Sequence, residues 1–529
     1  MKLMQCAALW SFTFALFLVG GVAPVTAGNM PDDQYKEIEK QAKTDIRSTD
    51  KIMRMTAADS MASTNDPRAV KFLQEALKTE KDPEVIDSLA AGLGRFTDPK
   101  AVEEVGKYVD KLTTPQLIYL AYHILYGFAS NNTPETRDVT LRAMNNEKSP
   151  WLTVAALEAM GDCTHAEFLA EITNFIVKRK KAEWDEKIQI IPVTGVHAIA
   201  HLGGLDAKKI VEAMETLIAV LENYSDERVR FHCARVMSQL AGMEETTDQV
   251  SWWRYWVERT KQGLAVEEGE KKKMKSNTSA RPSFVEMDAV GTKIVFAIDV
   301  SNSMTEKVSE NAKKKRIEQE NRAKEKRGPN NPPKPVPWNT ITDKMALAKF
   351  DLICGIENLS DKYSFNIVVY STESNLIDPR TTGWVQATAP NKIKFVNLVK
   401  RLDMGTMTNI HGAMLDSFRL TAKNLIAGDP ATDPEGFASG ADTIFFLTDG
   451  WGSWSDDSKG KVADPRRSDK DPVIGDGQFI LAADILRDFR RINKFRKVVV
   501  NSVGIGNHDK ELMRGFANAS GGTYVDLGD

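Results

Sequence analysis

Hydrophobic residues in the first half of the chain recur at helical spacing, and helix-start signals divide them into segments of similar length. One apolar stripe contains Val85, Leu89, Leu93 and Phe96. Each segment starts with a capping residue followed by proline, and within two runs these starts stand 16 residues apart: Asp66–Pro67, Asp82–Pro83, Asp98–Pro99 and Thr114–Pro115, then Thr133–Pro134 and Ser149–Pro150. The pattern predicts helices of about three turns joined by short connections.

A pair of such helices cannot cover its apolar face alone, so neighbouring pairs must stack. The sequence therefore predicts an all-α superhelical solenoid over residues 28–263. From roughly residue 60 to 262 it resembles HEAT-like repeats, although its helix pairs are shorter than is usual for that class. Trp252, Trp253 and Trp256 lie near its end, and we interpret them as packing residues that cover the last helix pair.

The pattern changes after the array. Residues 264–290 are polar and charged without a period, which predicts a linker. Beyond it, short apolar strands such as KIVFAID (293–299) and TIFFLT (443–448) alternate with amphipathic helices. This alternation predicts a Rossmann-like, doubly wound α/β domain over residues 291–529, with a mostly parallel sheet. Ligands of such sheets bind beyond the carboxyl ends of the strands, where the strand order switches direction.

Oxygen-bearing side chains collect at these predicted strand ends. Asp299 ends the first strand and is followed by Ser301 and Ser303, while Asp449 ends a later strand. The loop MGTMTNIHGAM, between the two strands in sequence, adds Thr408. Carboxylates and hydroxyls are hard donors that suit Mg²⁺ or Mn²⁺, with Ca²⁺ as a third option. The residues predict a divalent-cation site with a coordination position left open.

Three motifs in this order carry a family resemblance. D-x-S-x-S at 299–303, T-N-x-x-x-A at 408–413 and T-D-G at 448–450 resemble the metal-ion-dependent adhesion site of von Willebrand factor type A domains. The resemblance implies that Asp299, Ser301, Ser303, Thr408 and Asp449 hold one divalent cation, directly or through water. It also implies that an aspartate or glutamate of a protein partner completes the coordination shell.

The match has departures. Asn302 stands between the serines, where the family often has glycine, and Met407 stands where a glycine usually precedes the threonine. Thr406 is a second candidate for the threonine role, although the register of TNIHGAM favours Thr408.

Two insertions are predicted to border the site, at residues 305–338 and 451–477. The first reads as a charged helix followed by a proline-rich return, and the second as a long polar loop. They are interpreted either as a lid or recognition surface, with Trp451 and Trp454 as contact residues, or as solvated excursions.

Composition and the N-terminus bear on location. The net charge of -3 gives no global argument for binding nucleic acid or an anionic membrane. Residues 1–27 have a basic start, an apolar run and small residues, which predicts a signal peptide and export to the periplasm, cell surface or medium. An uncleaved membrane anchor is the alternative.

After removal of the signal peptide, the chain would keep Cys163, Cys233 and Cys354. This odd and scattered set predicts no disulfide framework.

The sequence thus favours an exported binding or scaffold protein that is not an enzyme. Two alternatives stay open: a hydrolase that uses the same cation, and a structural solenoid with a degenerate appended domain. Ser301 stands where a haloacid-dehalogenase phosphatase would have its second aspartate, which counts against that class of hydrolase.

His197 and His201 are four residues apart and could share a helix face, as metal ligands do. No third ligand is evident, so we interpret them as helix histidines.

Overall fold

The computed structural model describes residues 30–178, 189–243, 246–264, 282–327, 332–453 and 480–528. By internal contacts the chain divides into Met1–Val105 and Gly106–Asp529. Thirteen helices lie in the described residues up to 264: α1 (Asp32–Asp45), α2 (Lys51–Ser63), α3 (Pro67–Thr79), α4 (Pro83–Gly94), α5 (Pro99–Val109), α6 (Ile118–Asn131), α7 (Pro134–Met144), α8 (Pro150–Asp162), α9 (Leu169–Lys178), α10 (Ile190–His201), α11 (Ala207–Asn223), α12 (Glu227–Leu240) and α13 (Val250–Lys261).

The predicted start signals begin these helices. The side chain of Asp66 accepts a hydrogen bond from the backbone N–H of Arg68, and Asp82 and Ser149 cap α4 and α8 in the same manner. Each bond satisfies a backbone donor that the first helical turn leaves unpaired. Thr114 differs, because a 3₁₀ turn at Pro115–Leu117 precedes α6.

The helices pack on their second neighbours, which confirms a stacked array. In the Met1–Val105 unit α2 packs on α4. In the Gly106–Asp529 unit, α6, α8, α10 and α12 form one layer, and α9, α11 and α13 form another. Trp252 and Trp253 of α13 are fully buried, as expected of packing residues. Among the described residues, no helix is long and apolar enough to cross a membrane.

Nine strands and seven further helices follow in the described residues: β1 (Ser283–Phe284), β2 (Met287–Asp288), β3 (Lys293–Asp299), α14 (Glu310–Arg327), α15 (Lys344–Glu357), β4 (Ser364–Tyr370), β5 (Ser374–Leu376), β6 (Val385–Gln386), α16 (Ala389–Lys400), α17 (Ile410–Arg419), α18 (Pro434–Ser439), β7 (Thr443–Thr448), α19 (Ala482–Arg496), β8 (Val499–Ile505), α20 (Lys510–Ser520) and β9 (Tyr524–Leu527).

The main sheet has the order β5-β4-β3-β7-β8-β9, with β6 also paired to β4. Five of its strands (β4, β3, β7, β8 and β9) are parallel, while β5 and β6 run antiparallel to β4. Phe296 and Phe445 pack in a core on one face, and Phe446 packs in a second core on the other. Helices therefore cover both faces, which confirms the predicted doubly wound α/β class.

The end of the predicted linker differs from expectation. Within residues 264–290, the segment from Pro282 onward forms the β1–β2 hairpin and enters the core of the α/β domain. Phe284 is buried, and its ring lies 5.5 Å from that of Phe296. The few apolar residues of this segment stand among polar ones and gave no periodic signal, because strands of two residues are too short to show one. The predicted domain boundaries otherwise stay predictions.

The first insertion (305–338) contains α14, as predicted, but this helix is not a solvated excursion. Arg316 and Asp351 of α15 form an ion pair at 2.7 Å with both side chains almost fully buried. The second insertion (451–477) lies outside the described residues from Trp454 onward, as do residues 1–27; Trp451 is described and half-buried.

The two histidines and three cysteines considered in the sequence analysis have contacts that agree with structural roles. His197 Nε2 lies 3.0 Å from Nδ1 of His232, and His201 Nδ1 lies 3.0 Å from Oδ1 of Asp162. The three described cysteines are free thiols.

Candidate metal centre

The site residues meet at the switch point of the sheet. After β3 the chain forms β4 on one side of it and later returns to place β7 on the other side. Asp299 is the last residue of β3, and Asp449 directly follows β7. Since parallel strands end at the same edge, both carboxyl groups emerge where ligands of such sheets bind.

Backbone and hydroxyl donors orient the first carboxylate. The Oδ1 atom of Asp299 accepts a hydrogen bond from the backbone N–H of Ser301 at 2.8 Å. Its Oδ2 atom accepts one from the hydroxyl of Thr448 at 2.7 Å. Both Asp299 and Thr448 are completely buried, so the orientation is fixed from inside the fold.

Two hydroxyls bridge the first motif to the last. The Oγ atoms of Ser301 and Ser303 lie 3.0 Å apart, and Ser303 Oγ donates to Oδ1 of Asp449 at 2.8 Å. A Cβ placed on Gly450 would lie 3.6 Å from Oγ1 of Thr408 and 3.9 Å from Oγ of Ser303. The threonine hydroxyl therefore faces the same small space as the serine. All five residues predicted from the sequence converge at one strand edge.

The geometry also separates the two threonine candidates. Thr408 is buried, whereas Thr406 is exposed and its hydroxyl lies 3.0 Å from that of Thr372. The backbone N–H of Thr408 donates to Ser453 Oγ at 2.9 Å, which fixes the loop at the site. Asn302 has an exposed side chain, so its replacement of glycine leaves the two flanking serines in contact.

The electrostatics of the pair are unfavourable without a counter-charge. Burial, and next the negative charge of Asp449, raise the pKa of Asp299 to about 7. Burial also raises the pKa of Asp449, although Lys344 opposes this shift. Two buried carboxyl groups that repel each other are stabilised by any cation placed between them.

Lys344 and Glu306 are site residues that the sequence reasoning missed. Lys344 Nζ donates to Asp449 Oδ2 at 2.8 Å and to Glu306 Oε2 at 2.7 Å. Among the described residues, it is the one cationic side chain that forms an ion pair with either aspartate. No sequence signal pointed to it, because Lys344 begins a helix far from both motifs along the chain.

The donor set fits a hard divalent cation. Two carboxylates and three hydroxyls suit Mg²⁺, Mn²⁺ or Ca²⁺, whereas soft metals prefer thiolate and imidazole. Within the described ranges, no group of three or more His, Cys, Asp or Glu side chains is arranged to hold a metal. A site with two carboxylates lies outside that class, because hydroxyls would have to supply the other protein ligands.

Comparison with known proteins gives one family match and several distant structures. The HEAT repeat model matches residues 43–117. No curated protein matches the chain. A von Willebrand factor type A protein from Catenulispora acidiphila is 16% identical over 46% of this chain and 40% of its own, with a TM-score of 0.27.

Two other solved structures show a similarly low sequence identity to this chain. Proximal thread matrix protein 1 of the mussel byssus, described with a zinc-occupied MIDAS motif, is 11% identical over 45% of this chain and 41% of its own, with a TM-score of 0.24. A membrane-spanning protein from Vibrio fischeri is 13% identical over 44% of this chain and 88% of its own, with a TM-score of 0.16. The chain thus spans less than half the length of the first two structures.

Proposed function

We propose that this chain, with HEAT repeats near its N-terminus and a von Willebrand factor A-like α/β domain, is a binding protein that captures an acidic partner through a divalent cation. The observation that carries the proposal is the convergence of two buried aspartates and three hydroxyls at the switch point of the sheet. Such a position is where sheets of this class bind their ligands.

The cation would compensate a charge imbalance. When both are ionised, Asp299 and Asp449 bring two negative charges into a buried site, and Lys344 returns one positive charge. In this proposal Asp299, Ser301, Ser303, Thr408 and Asp449 hold Mg²⁺ or Mn²⁺, with Ca²⁺ as the third option. Magnesium favours six oxygen ligands and rarely takes them all from protein, so exchangeable positions remain. An aspartate or glutamate of a protein partner would fill one of them.

Direct metal titration tests the proposal. Isothermal calorimetry with Mn²⁺ and with Mg²⁺ should show binding by the unaltered protein that Asp299→Asn abolishes, because the substitution removes one charge and one ligand while keeping the side-chain shape. Asp361→Asn, an exposed loop position, is the matched control and should bind as the unaltered protein does. Equal heats from the unaltered protein and Asp299→Asn would refute the metal site.

Partner capture is a separate step. Immobilised protein loaded with Mn²⁺ should retain a protein partner that EDTA releases, and the Asp299→Asn protein should not retain it. The predicted export places the relevant source material in the envelope or the medium. A partner retained equally by both proteins would show that recognition does not use the cation.

One observation favours the scaffold alternative. Lys344 already supplies positive charge to Asp449. A degenerate site without metal would require such a charge to compensate the buried carboxylate. The titration separates the two functions, since a scaffold would give no heat with either metal.

A further inference from the structure

Lys344 brings a buried ammonium group to the candidate metal centre. It is the first residue of α15 and is 5% exposed. Its Nζ atom lies between two carboxylates: that of Asp449, which is buried, and that of Glu306, which is 67% exposed. One lysine therefore joins a proposed metal ligand to a carboxylate on the rim of the site.

The backbone is shaped to hold this side chain. Gly506 follows β8 with a φ of +61°, and a Cβ there would lie 2.9 Å from Cε and 3.1 Å from Nζ of Lys344. A side chain at position 506 would thus crowd the lysine. The backbone N–H of Lys344 also donates to the carbonyl of Glu306 at 3.0 Å, which keeps the lysine beside the rim carboxylate.

The arrangement makes the ammonium group and a divalent cation alternatives. Both favour the same carboxylate, and a 2+ ion held by Asp449 would repel an ammonium group that contacts its other oxygen. Burial alone would lower the pKa of Lys344, but Asp449 and Glu306 raise it above its ordinary value, so the lysine stays charged. Because Glu306 is already within hydrogen-bonding distance, the lysine has a second partner that is not itself one of the five proposed ligands.

We propose that Lys344 is a tethered counter-ion that competes with the divalent cation for Asp449 and is left with Glu306 when the cation binds. This inference rests on the proposed function. It implies that Lys344 keeps the metal-free site folded and sets a low metal affinity, so that the site fills only where the cation is abundant. Glu306 favours binding of the cation, because it gives the ammonium group of Lys344 a partner other than Asp449.

Two substitutions should change metal affinity in opposite directions. Lys344→Met keeps the length of the side chain and removes its charge, so the Kd for Mn²⁺ should fall about 10-fold or more. Glu306→Gln removes the alternative partner, so the Kd should rise, by about 3-fold or more. The matched control is Lys494→Met, because Lys494 is also ion-paired with a carboxylate, at 2.7 Å from Asp162, and should leave the Kd unchanged.

Thermal melting in EDTA gives a second readout that does not depend on partner binding. Lys344→Met should lower the melting temperature of the metal-free protein, and Mn²⁺ should then raise it more than in the unaltered protein. Glu306 is exposed, so Glu306→Gln should fold even if Lys344→Met does not.

The outcomes separate this inference from the proposed function. If neither the unaltered protein nor Lys344→Met binds Mn²⁺, the proposed function is wrong and the inference falls with it. If the unaltered protein binds but Lys344→Met binds equally or less tightly, or Glu306→Gln fails to weaken binding, the counter-ion role alone is overturned. Binding by Lys344→Met but not by the unaltered protein would overturn both proposals, because the native site would then hold its own lysine in place of the cation.

Discussion

At the scale of single residues, Ser303 joins the two halves of the candidate site. Its hydroxyl contacts Ser301 Oγ and donates to Asp449 Oδ1, so it lies between motifs that are 146 residues apart along the chain. It lies in a 3₁₀ turn (Asn302–Thr305) that redirects the chain just after β3. A short turn of this kind lets residues two apart present their hydroxyls to one point.

Ser303→Ala should weaken Mn²⁺ binding more than it weakens the fold. Loss of one ligand should raise the Kd about 10-fold, equivalent to about 1.4 kcal/mol, while one lost hydrogen bond should lower the free energy of unfolding by about 1 kcal/mol. Calorimetry and urea denaturation measure the two effects. Thr305→Ala, in the same turn with an exposed hydroxyl bonded to the carbonyl of Asn302, is the control. An unchanged Kd in Ser303→Ala would remove the serine from the proposed ligand set.

At the scale of elements, α14 shows how a highly charged helix can be part of a core. Its buried positions are Ala312, Arg316, Glu320 and Ala323, which form one stripe at helical spacing. Arg316 pairs with Asp351 inside the domain, and Glu320 accepts from the backbone N–H of Val336 at 3.4 Å. The apolar pattern gave no sign of this packing, because charged side chains make up half of the buried stripe.

Arg316→Met should destabilise the protein by about 3–5 kcal/mol, because it leaves the carboxylate of Asp351 buried without a partner. Adding Asp351→Leu should recover much of the loss, since it removes the unpaired charge. Urea denaturation at pH 7 measures both, and Arg322→Met, at an exposed position of the same helix, should change stability by less than about 0.5 kcal/mol. A loss below about 1 kcal/mol for Arg316→Met would show that the ion pair does not hold α14.

At the scale of the Gly106–Asp529 unit, two partly buried ion pairs join α8 of the helical array to the end of α19 in the α/β domain. Lys494 Nζ lies 2.7 Å from Asp162 Oδ2, and Lys497 Nζ lies 2.7 Å from Glu158 Oε1. The ring of Phe495, between these lysines in sequence, packs against Tyr119 with centroids 4.7 Å apart. Helix α8 of the array is thereby fixed to the end of α19.

Asp162 should make the stability of this unit sensitive to acid. Burial alone would raise its pKa, but the hydrogen bond with His201 and the charge of Lys494 hold the pKa of Asp162 well below its ordinary value. A lowered folded-state pKa means that the unfolded chain takes up the proton first as the pH falls. The stabilisation is therefore complete above about pH 5 and is lost progressively below about pH 4.

The comparison of Asp162→Asn with the unaltered protein measures this contribution. At pH 7 the variant should be less stable by about 1–3 kcal/mol, and the difference should shrink as the pH falls from 5 to 3. Denaturation midpoints across that range provide the test. Asp138→Asn, whose ion pair with Arg142 is exposed, should lie close to the unaltered protein throughout. A stability difference between Asp162→Asn and the unaltered protein that does not vary with pH would contradict the assignment.

The sequence by itself determined the two fold classes and was enough to predict the five proposed ligands. Helix caps and periodicity are local signals, so the cap–proline marks gave most of the array, and strand–helix alternation gave the doubly wound sheet. Because parallel strands end at one edge, the positions of Asp299 and Asp449 at strand ends were enough to predict that they meet. The order of the motifs added Ser301, Ser303 and Thr408.

Only the tertiary structure decided what surrounds that set. Lys344, Glu306 and Gly506 come together from three separate segments of the chain, and no local pattern distinguishes such a lysine from an exposed one. The β1–β2 hairpin and the buried face of α14 were likewise hidden, because their burial depends on partners elsewhere in the fold. Periodicity records which residues avoid water along one element, whereas the pairing of charges is settled only when elements pack together.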